Sequence, residues 1–325
     1  MNDGSDTEVG RLKQQVQRGD FTAIRQYLIR TRRTQDWQDR CFVLHTLTPF
    51  IPLEALIAAS DAEPEAADLL LLLGVCYFQR VRKSRGGKQA EDTTPEQFRE
   101  AEMHIQSMMG CLLRVYEMNR DDPTPHVFAI RGLVVFHQYE DTVKQEYAEA
   151  IRLAPECIPT YFAMVSARSE KWAGSHEEAL QIARAAMRSG RLGSDGPACL
   201  FQAHFLVWQF ARAFDKNQPQ ADRYLKNPAV AQELNLALDR WIGGSYEARR
   251  SSIPYLHQAA IWYYLSEDYV RLKRVFALTG DTPCAPAWKQ IGDPIKVFRD
   301  AQQKAMQKPA PLPAKKAGIL GWFKP

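Results

Sequence analysis

Cysteine is scarce in this sequence, and its few copies are widely separated. The 325 residues contain six cysteines, and no two of them form a C-x-x-C pair. The paired spacing of a zinc or thioredoxin-like site is therefore missing, and no disulfide framework is indicated. We expect reduced thiols, no metal and no other cofactor, in a cytoplasmic protein. The six are Cys41, Cys76, Cys111, Cys157, Cys199 and Cys284.

Long apolar segments are also missing. The longest apolar run, Leu69 to Phe78, is about half of the roughly 20 residues that a membrane-spanning helix requires. The first residues, Met1 to Asp6, are polar and acidic, where a secretion signal would be basic and then apolar. These two absences predict a soluble, intracellular chain in which the apolar run is a buried helix segment.

Positive charge is lacking over most of the chain. The net charge is +4, but residues 296–325 contain seven Lys or Arg and one Asp, so the remainder carries −2. A slightly acidic body of this kind argues against nucleic acid as a partner, and any attraction to anionic surfaces is concentrated in the last thirty residues.

Strand signals are nearly absent, whereas helix signals are frequent. Apolar residues at helical spacing follow Ser5, and again follow the turn at Gly19. Thr94-Pro95-Glu96-Gln97 supplies a cap, a proline in the first turn and an acidic residue beside it, as at the start of many helices. The sequence therefore predicts an all-α fold of helix pairs.

One internal repeat gives the helices an order. Pro125-His126-Val127-Phe128 recurs as Pro159-Thr160-Tyr161-Phe162, at an offset of 34 residues. That offset is the length of a tetratricopeptide repeat, in which each helix pair buries its apolar side against the next pair. We expect a tetratricopeptide-like α-solenoid of antiparallel helix pairs, with one helical-repeat domain over residues 1–307 and a flexible, Pro/Lys-rich tail over 308–325.

Two stretches resemble a known family. The segment Lys171-Trp172-Ala173-Gly174-Ser175-His176-Glu177-Glu178, together with residues 9–32, is similar to an uncharacterised bacterial domain-of-unknown-function family with tetratricopeptide-like helices. The resemblance covers about residues 9–210. It implies the same helical fold and brings no known activity with it.

Motifs that would support catalysis are incomplete. His176-Glu177-Glu178 begins like the H-E-x-x-H zinc motif, but position 180 is Leu, and Ser175 with Glu178 fits a helix capping box instead. His126 and His137 would lie about 16 Å apart along one helix, too far to share a metal. We therefore predict no catalytic residue, no metal site and no enzyme activity.

A glycine-containing loop leaves two interpretations open. Gly190, Gly193 and Gly196 precede a helix that begins near Pro197, so exposed amides there could hold an anion. Neither a dinucleotide fingerprint nor a P-loop is present, which favours an ordinary loop between repeats.

Partner contacts are expected on the groove of the solenoid. In such folds the first helix of each pair lines the concave side, and Tyr, Trp and Arg are favoured as interface anchors. Aromatic residues in these helices form mainly core, while a few reach the groove. The candidate groove residues are Arg131, Tyr161, Arg168, His204, Trp208 and Arg212.

The last segment offers a second candidate site. A proline-rich spacer is followed by a short basic and aromatic peptide, which is either a disordered end, a strip over the last helices, or a docking or membrane-surface motif. In the last case the apolar side chains insert while the lysines face anionic lipid. The residues concerned are Lys315, Lys316, Ile319, Leu320, Trp322 and Phe323.

These features favour a non-catalytic protein-protein interaction scaffold or adaptor that holds a partner protein or peptide in a solenoid groove. No small-molecule substrate is indicated. One alternative is a peripheral membrane adaptor that uses the tail, and another is an enzyme whose site is assembled across repeats. A deep pocket with converging titratable groups would favour the enzyme, and an open groove would favour binding.

The membrane alternative predicts that deletion of residues 308–325 abolishes sedimentation of the protein with anionic liposomes, because the basic and apolar residues leave together. The full-length chain with neutral liposomes is the control. Equal sedimentation with and without the tail would remove this alternative.

Overall fold

The computed structural model describes residues 8–86, 93–172, 174–243 and 246–307. It is 77% helical and holds 17 α-helices, and no strand occurs within these ranges. The predicted all-α class is confirmed. The tail candidates Lys315, Lys316, Ile319, Leu320, Trp322 and Phe323 lie outside the described residues, as does Ser5.

The helices follow one another with short connections. The first nine are α1 (Glu8–Gln17), α2 (Thr22–Arg33), α3 (Trp37–Leu47), α4 (Leu53–Ala62), α5 (Ala67–Arg85), α6 (Pro95–Met118), α7 (Thr124–Leu133), α8 (Glu140–Leu153) and α9 (Ile158–Ala167). The others are α10 (His176–Ser189), α11 (Ala198–Ala213), α12 (Gln218–Leu225), α13 (Pro228–Ile242), α14 (Ile253–Leu265), α15 (Tyr269–Thr279), α16 (Ala285–Trp288) and α17 (Pro294–Gln307).

Side-chain caps fix several helix starts. The Thr94 hydroxyl accepts from the Gln97 amide, and the Gln97 side chain accepts from the Thr94 amide, so both halves of a capping box begin α6. The Ser175 hydroxyl accepts from the Glu178 amide at 3.1 Å and begins α10. Ser175 is thus confirmed as the helix cap, while the full capping box with Glu178 stays a prediction.

The 34-residue repeat corresponds to two helical units with the same order and lengths of helices. Helices α7 and α9 are ten residues each and start 34 positions apart, and Pro125 and Pro159 occupy the second position of their helices. Each is followed by a 3-10 helix and then by a 14-residue helix, α8 or α10. Helix α7 packs against α8, α9 packs against α10, and α7 also packs against α9.

Helix α7 is buried on almost every side. Nine of its ten residues are buried, and the tenth is Arg131. A helix that is apolar all round belongs inside a protein, covered by neighbours on every face. The neighbours that pack against it include α3, α5, α6, α8 and α9.

The described chain divides into two compact units. One ends at Tyr255 and the other begins at Leu256. A compact unit is not the same as an independently folding domain, so a single helical-repeat domain over residues 1–307 stays a prediction. No single helix within the described ranges is long and apolar enough to cross a membrane. The consecutive segments Trp37–Phe50 and Leu53–Ala62 reach the required length and composition only when taken together, and the chain bends by 117° between them.

Within the first unit, charged contacts join residues that are far apart in the chain. Arg250 donates to both carboxylate oxygens of Asp39, at 2.8 Å each, and also contacts Tyr27 and Glu8. The segment that precedes α14 is thereby held to the first three helices.

A buried ion pair connects α3 to the start of α7. Arg40 donates to Asp122 at 2.8 Å, to the Thr124 hydroxyl at 3.1 Å and to the Leu28 carbonyl. The side chains of Arg40 and Asp122 are 3% and 0% exposed. Asp122 also accepts from the Thr124 amide at 2.8 Å, which satisfies one amide in the first turn of α7.

We predict that Arg40→Met lowers the free energy of unfolding by about 3 to 5 kcal/mol, because it leaves the Asp122 carboxylate buried and unpaired. Urea denaturation at neutral pH measures the change. The matched control is Arg32→Met, which breaks the neighbouring but exposed pair with Asp121 and should cost at most about 1 kcal/mol. Equal losses in the two variants would contradict the prediction.

Candidate functional site

Three of the predicted groove residues are buried. Tyr161, His204 and Trp208 are 4%, 2% and 2% exposed. Tyr161 donates to the Pro155 carbonyl at 3.0 Å, and His204 has Glu233 within 3.1 Å. These side chains contribute to helix packing, so the structure does not present them to a partner.

The three predicted arginines differ in their surroundings. Arg168 is paired with Glu140 at 2.9 Å and Glu178 at 2.6 Å. Arg212 is exposed and lies over the ring of Trp208, 5.1 Å from its centroid. Arg131 is half-buried, and no described carboxylate lies within 4.0 Å of its guanidinium.

Two buried rings position Arg131 beside a second arginine. The rings of Phe78 on α5 and Phe128 on α7 are 5.6 Å apart and meet edge to face. Arg82 lies 5.8 Å over Phe78, and Arg131 lies 5.8 Å over Phe128. The spacings of four and three residues place each arginine one helical turn beyond its ring. Two cations therefore leave neighbouring helices at the same level.

A third ring brings in two more cations. Arg85 and Lys171 lie 5.9 Å and 5.1 Å from the centroid of Trp172. Lys171 also lies 5.8 Å over Phe214. We call Arg82, Arg85, Arg131 and Lys171 the cationic cluster. Its members come from α5, from α7 and from the 3-10 helix after α9.

Most of the cluster lacks a counter-charge. No described carboxylate lies within 4.0 Å of Arg82, Arg131 or Lys171, whereas arginines elsewhere, such as Arg184 and Arg250, are paired. Arg82 and Lys171 are exposed residues, although neighbouring groups partly desolvate both side chains. Each cation attracts negative charge that the described residues do not supply.

The positive field of the cluster acts on its own members. Burial, and then the charge of Arg131, lower the pKa of Arg82. Burial, and then the charges of Arg85 and Arg82, lower the pKa of Lys171. Burial, and then the charges of Arg131 and Arg82, also lower the pKa of the neighbouring His45 on α3, to about 3. An anion bound here would oppose the part of each shift that the positive charges cause, while the part due to burial would remain.

The sequence identified one member of the cluster and missed the others. Arg131 was a predicted groove residue, whereas Arg82 and Arg85 lie in the last turn of α5, and Lys171 lies in the segment that resembles the bacterial family. Basic residues at a helix C-terminus are common because they complement the helix dipole, so they gave no functional signal.

A cavity of about 1100 Å³ lies at the helix ends of the first unit. Asp195 forms part of its wall and is 7% exposed. Its carboxylate accepts from Gln38 at 2.5 Å, Trp241 at 2.7 Å, Tyr246 at 2.9 Å and Ser252 at 2.6 Å. Four donors occupy its oxygens, which makes Asp195 a hub of the local structure.

The remaining groups with resolved pKa shifts in this cavity are held in their neutral forms. Burial raises the pKa of the Cys157 thiol to about 11, so no thiolate forms at neutral pH. Burial, and then the charge of Asp195, raise the pKa of Tyr246. Neither group is activated as a nucleophile or a base.

The glycine loop forms another wall of this cavity. Gly193 has φ of +78°, which glycine adopts without strain, and its amide donates to the Arg240 carbonyl at 3.1 Å. The Ser194 amide donates to the Arg191 carbonyl at 3.0 Å. These two amides are therefore not open to an anion, which favours the inter-repeat loop.

The metal interpretation of His176 is replaced by other contacts. His176 lies 3.4 Å from Glu170 and edge-on to the ring of Phe210, at 5.5 Å between centroids. Among the residues with described positions, no three His, Cys, Asp or Glu side chains are grouped to hold a metal ion.

Comparison with known proteins adds no family. The chain matches no family model, and no curated protein matches it. The structure therefore assigns the chain to the all-α class. The resemblance to a bacterial family of unknown function stays a prediction.

We predict that Arg82→Gln and Arg131→Gln each raise the pKa of His45 above about 3, because each removes a positive charge that opposes protonation of the ring. Burial persists in both variants, so the pKa stays below 6.5. NMR titration of the His45 ring measures the shift. Arg99→Gln on α6, whose arginine is 68% exposed, is the control and should leave the pKa unchanged. A His45 pKa near 6.5 in the unaltered chain would contradict the prediction.

Proposed function

We propose that this protein is a non-catalytic, tetratricopeptide-like scaffold that binds a partner protein or peptide across the cationic cluster. The observation that carries the proposal is that Arg82, Arg131 and Lys171 are accessible and have no described carboxylate within 4.0 Å. Like charges held close together oppose one another, so their arrangement gains stability when a ligand of opposite charge is bound.

The order of the helices supports a stacked array. In this proposal α5 with α6, α7 with α8, and α9 with α10 are successive antiparallel pairs, and their first helices pack in sequence, α5 on α7 and α7 on α9. The residues of the cluster lie on α5 and α7, which are the first helices of two pairs, and on the connection between α9 and α10 in the third pair. A ligand that lies across the cluster would therefore touch three successive pairs, as in a solenoid groove.

The protonation states of the side chains in the cavity at Asp195 favour a binding function over catalysis. An enzyme site is expected to contain a group whose pKa is shifted toward its catalytic form. Cys157 and Tyr246 are shifted the other way, toward their protonated forms. An enzyme assembled across repeats stays the rival proposal, and a substrate-dependent turnover that is lost with Asp195→Asn would support it.

The proposed compartment is the cytoplasm. All six cysteines are free, as expected of a protein kept under reducing conditions. The proposed partner is a protein or peptide, because the open surface offers charged and aromatic contacts over several helices and no enclosed small-molecule site.

The test is site-specific photo-crosslinking in the cells that produce the protein. Gln209→p-benzoylphenylalanine places the crosslinker beside Lys171 and Phe214 without removing a cation, because these three residues line one small hollow. We expect a discrete covalent adduct with a protein that mass spectrometry identifies, and measurable binding when that partner is purified and titrated by calorimetry.

The matched control is Leu236→p-benzoylphenylalanine on α13, where the leucine is 59% exposed. This position should give no adduct with the same partner. Adducts of equal yield at both positions, or no adduct at Gln209, would contradict binding at the proposed surface.

A further inference from the structure

We propose that the ligand of the cationic cluster is an extended acidic segment of the partner protein, whose carboxylates bind Arg82, Arg131 and Lys171 and whose apolar side chain contacts the adjacent rings. This inference rests on the proposed function and specifies its partner. It follows from the number of cations, their spacing and the rings around them.

The spacing of the cations suits a peptide chain. Packed helices lie about 8 to 10 Å apart, which sets the scale of the separation between Arg82 on α5 and Arg131 on α7. In an extended peptide, side chains two residues apart are separated by about 7 Å and point to the same side. With the reach of two arginine side chains, acidic residues at alternate positions can bind both guanidinium groups.

Rings border the cluster on the side of Arg131. The half-buried Tyr255 ring stacks on Phe162, with 4.1 Å between centroids and 10° between planes. The charge of Arg131 acts on Tyr255, which places the two side chains near each other. A ligand that reaches Arg131 therefore approaches this stacked pair of rings.

Rings also border the cluster at its other end. Trp172 and Phe214 are half-buried beside Lys171. Aromatic rings of this kind serve as anchor points for apolar side chains at protein interfaces. We expect at least one apolar residue next to the carboxylates of the ligand, which a small inorganic anion does not provide.

Nucleic acid fits the surface less well. The rings beneath the two arginines, Phe78 and Phe128, are 2% and 0% exposed, so they offer no face on which a base could stack. Outside residues 296–325 the chain carries a net charge of −2, which repels an extended phosphate backbone beyond the four cations. A short acidic peptide avoids this repulsion because its charge is local.

The direct test is fluorescence anisotropy with the full-length chain and a labelled peptide in which Glu alternates with Ser around one Phe. The comparison peptide has Gln in place of every Glu. We expect saturable binding of the Glu peptide at low salt and none of the Gln peptide. Raising the salt from about 0.1 M to about 1 M should weaken binding strongly, because the screening length falls from about 10 Å to about 3 Å.

Variants of the protein locate the site. Arg82→Gln and Arg131→Gln should each raise the Kd of the Glu peptide about tenfold to a hundredfold, the effect of losing one charge-assisted hydrogen bond. Arg99→Gln also removes one positive charge, but from an exposed position on α6, and should change Kd by less than about threefold. Circular dichroism confirms that each variant is folded.

A second measurement does not depend on Kd. Saturation with the Glu peptide should raise the pKa of His45, because bound carboxylates offset the charges of Arg82 and Arg131 that act on this ring. The same titration in Glu91→Gln and Asp92→Asn variants without peptide tests whether acidic residues of this chain already supply the counter-charge. A change of the His45 pKa in those variants would overturn the proposal.

Other outcomes separate this inference from the proposed function. If the crosslinked partner still binds when Arg82 and Arg131 are both replaced by Gln, the scaffold function holds and the acidic ligand is wrong. Equal affinity for the Gln peptide would also overturn the inference. Tighter binding of single-stranded DNA or of inorganic polyphosphate than of the Glu peptide would assign the cluster to phosphate ligands instead.

Discussion

The structure depends on one constraint, the enclosure of a short helix on all sides by its neighbours. Helix α7 buries nine of its ten residues, so α3, α5, α6, α8 and α9 must all cover part of it. Its only residue that is not buried is Arg131. Arg131 is therefore the one residue of α7 through which a charge of this helix reaches solvent, and it belongs to the cationic cluster.

The treatment of charge differs between the cavity at Asp195 and the cationic cluster. Asp195 is buried but receives four hydrogen bonds from uncharged donors, so its desolvation is offset within the protein. Arg82 and Arg131 are accessible, yet the described residues offer them no carboxylate. A satisfied buried charge contributes to the fold, whereas an unsatisfied accessible charge is available to a ligand. This contrast is why the candidate site is the cluster and not the larger cavity at Asp195.

The starts of helices could be predicted because they depend on neighbouring residues in the sequence. Which side chains are exposed could not be predicted, because exposure depends on contacts between helices that are far apart in the chain. The capping box at Thr94 and the prolines at 125 and 159 depend only on neighbouring residues, and they appear in the structure where the sequence placed them. Which face of a helix is covered depends on helices far away in the chain. Tyr161 and Trp208 therefore looked like groove residues but are core. Arg82 was missed because the lack of a partner is a property of the whole fold, and no motif records it.

The bidentate contact between Arg250 and Asp39 has a consequence for how the chain folds during its synthesis on the ribosome. These two residues are separated by 211 positions, and Gln38 is separated from its acceptor Asp195 by 157. The N-terminal helices leave the ribosome long before Arg250 is translated, so their polar side chains spend most of synthesis without their final partners. Closure of the first unit has to wait for one of its last residues, and contacts of such long sequence separation are slow to form. Nascent chains would thus expose Asp39 and Tyr27 to quality-control factors until Arg250 has left the ribosome.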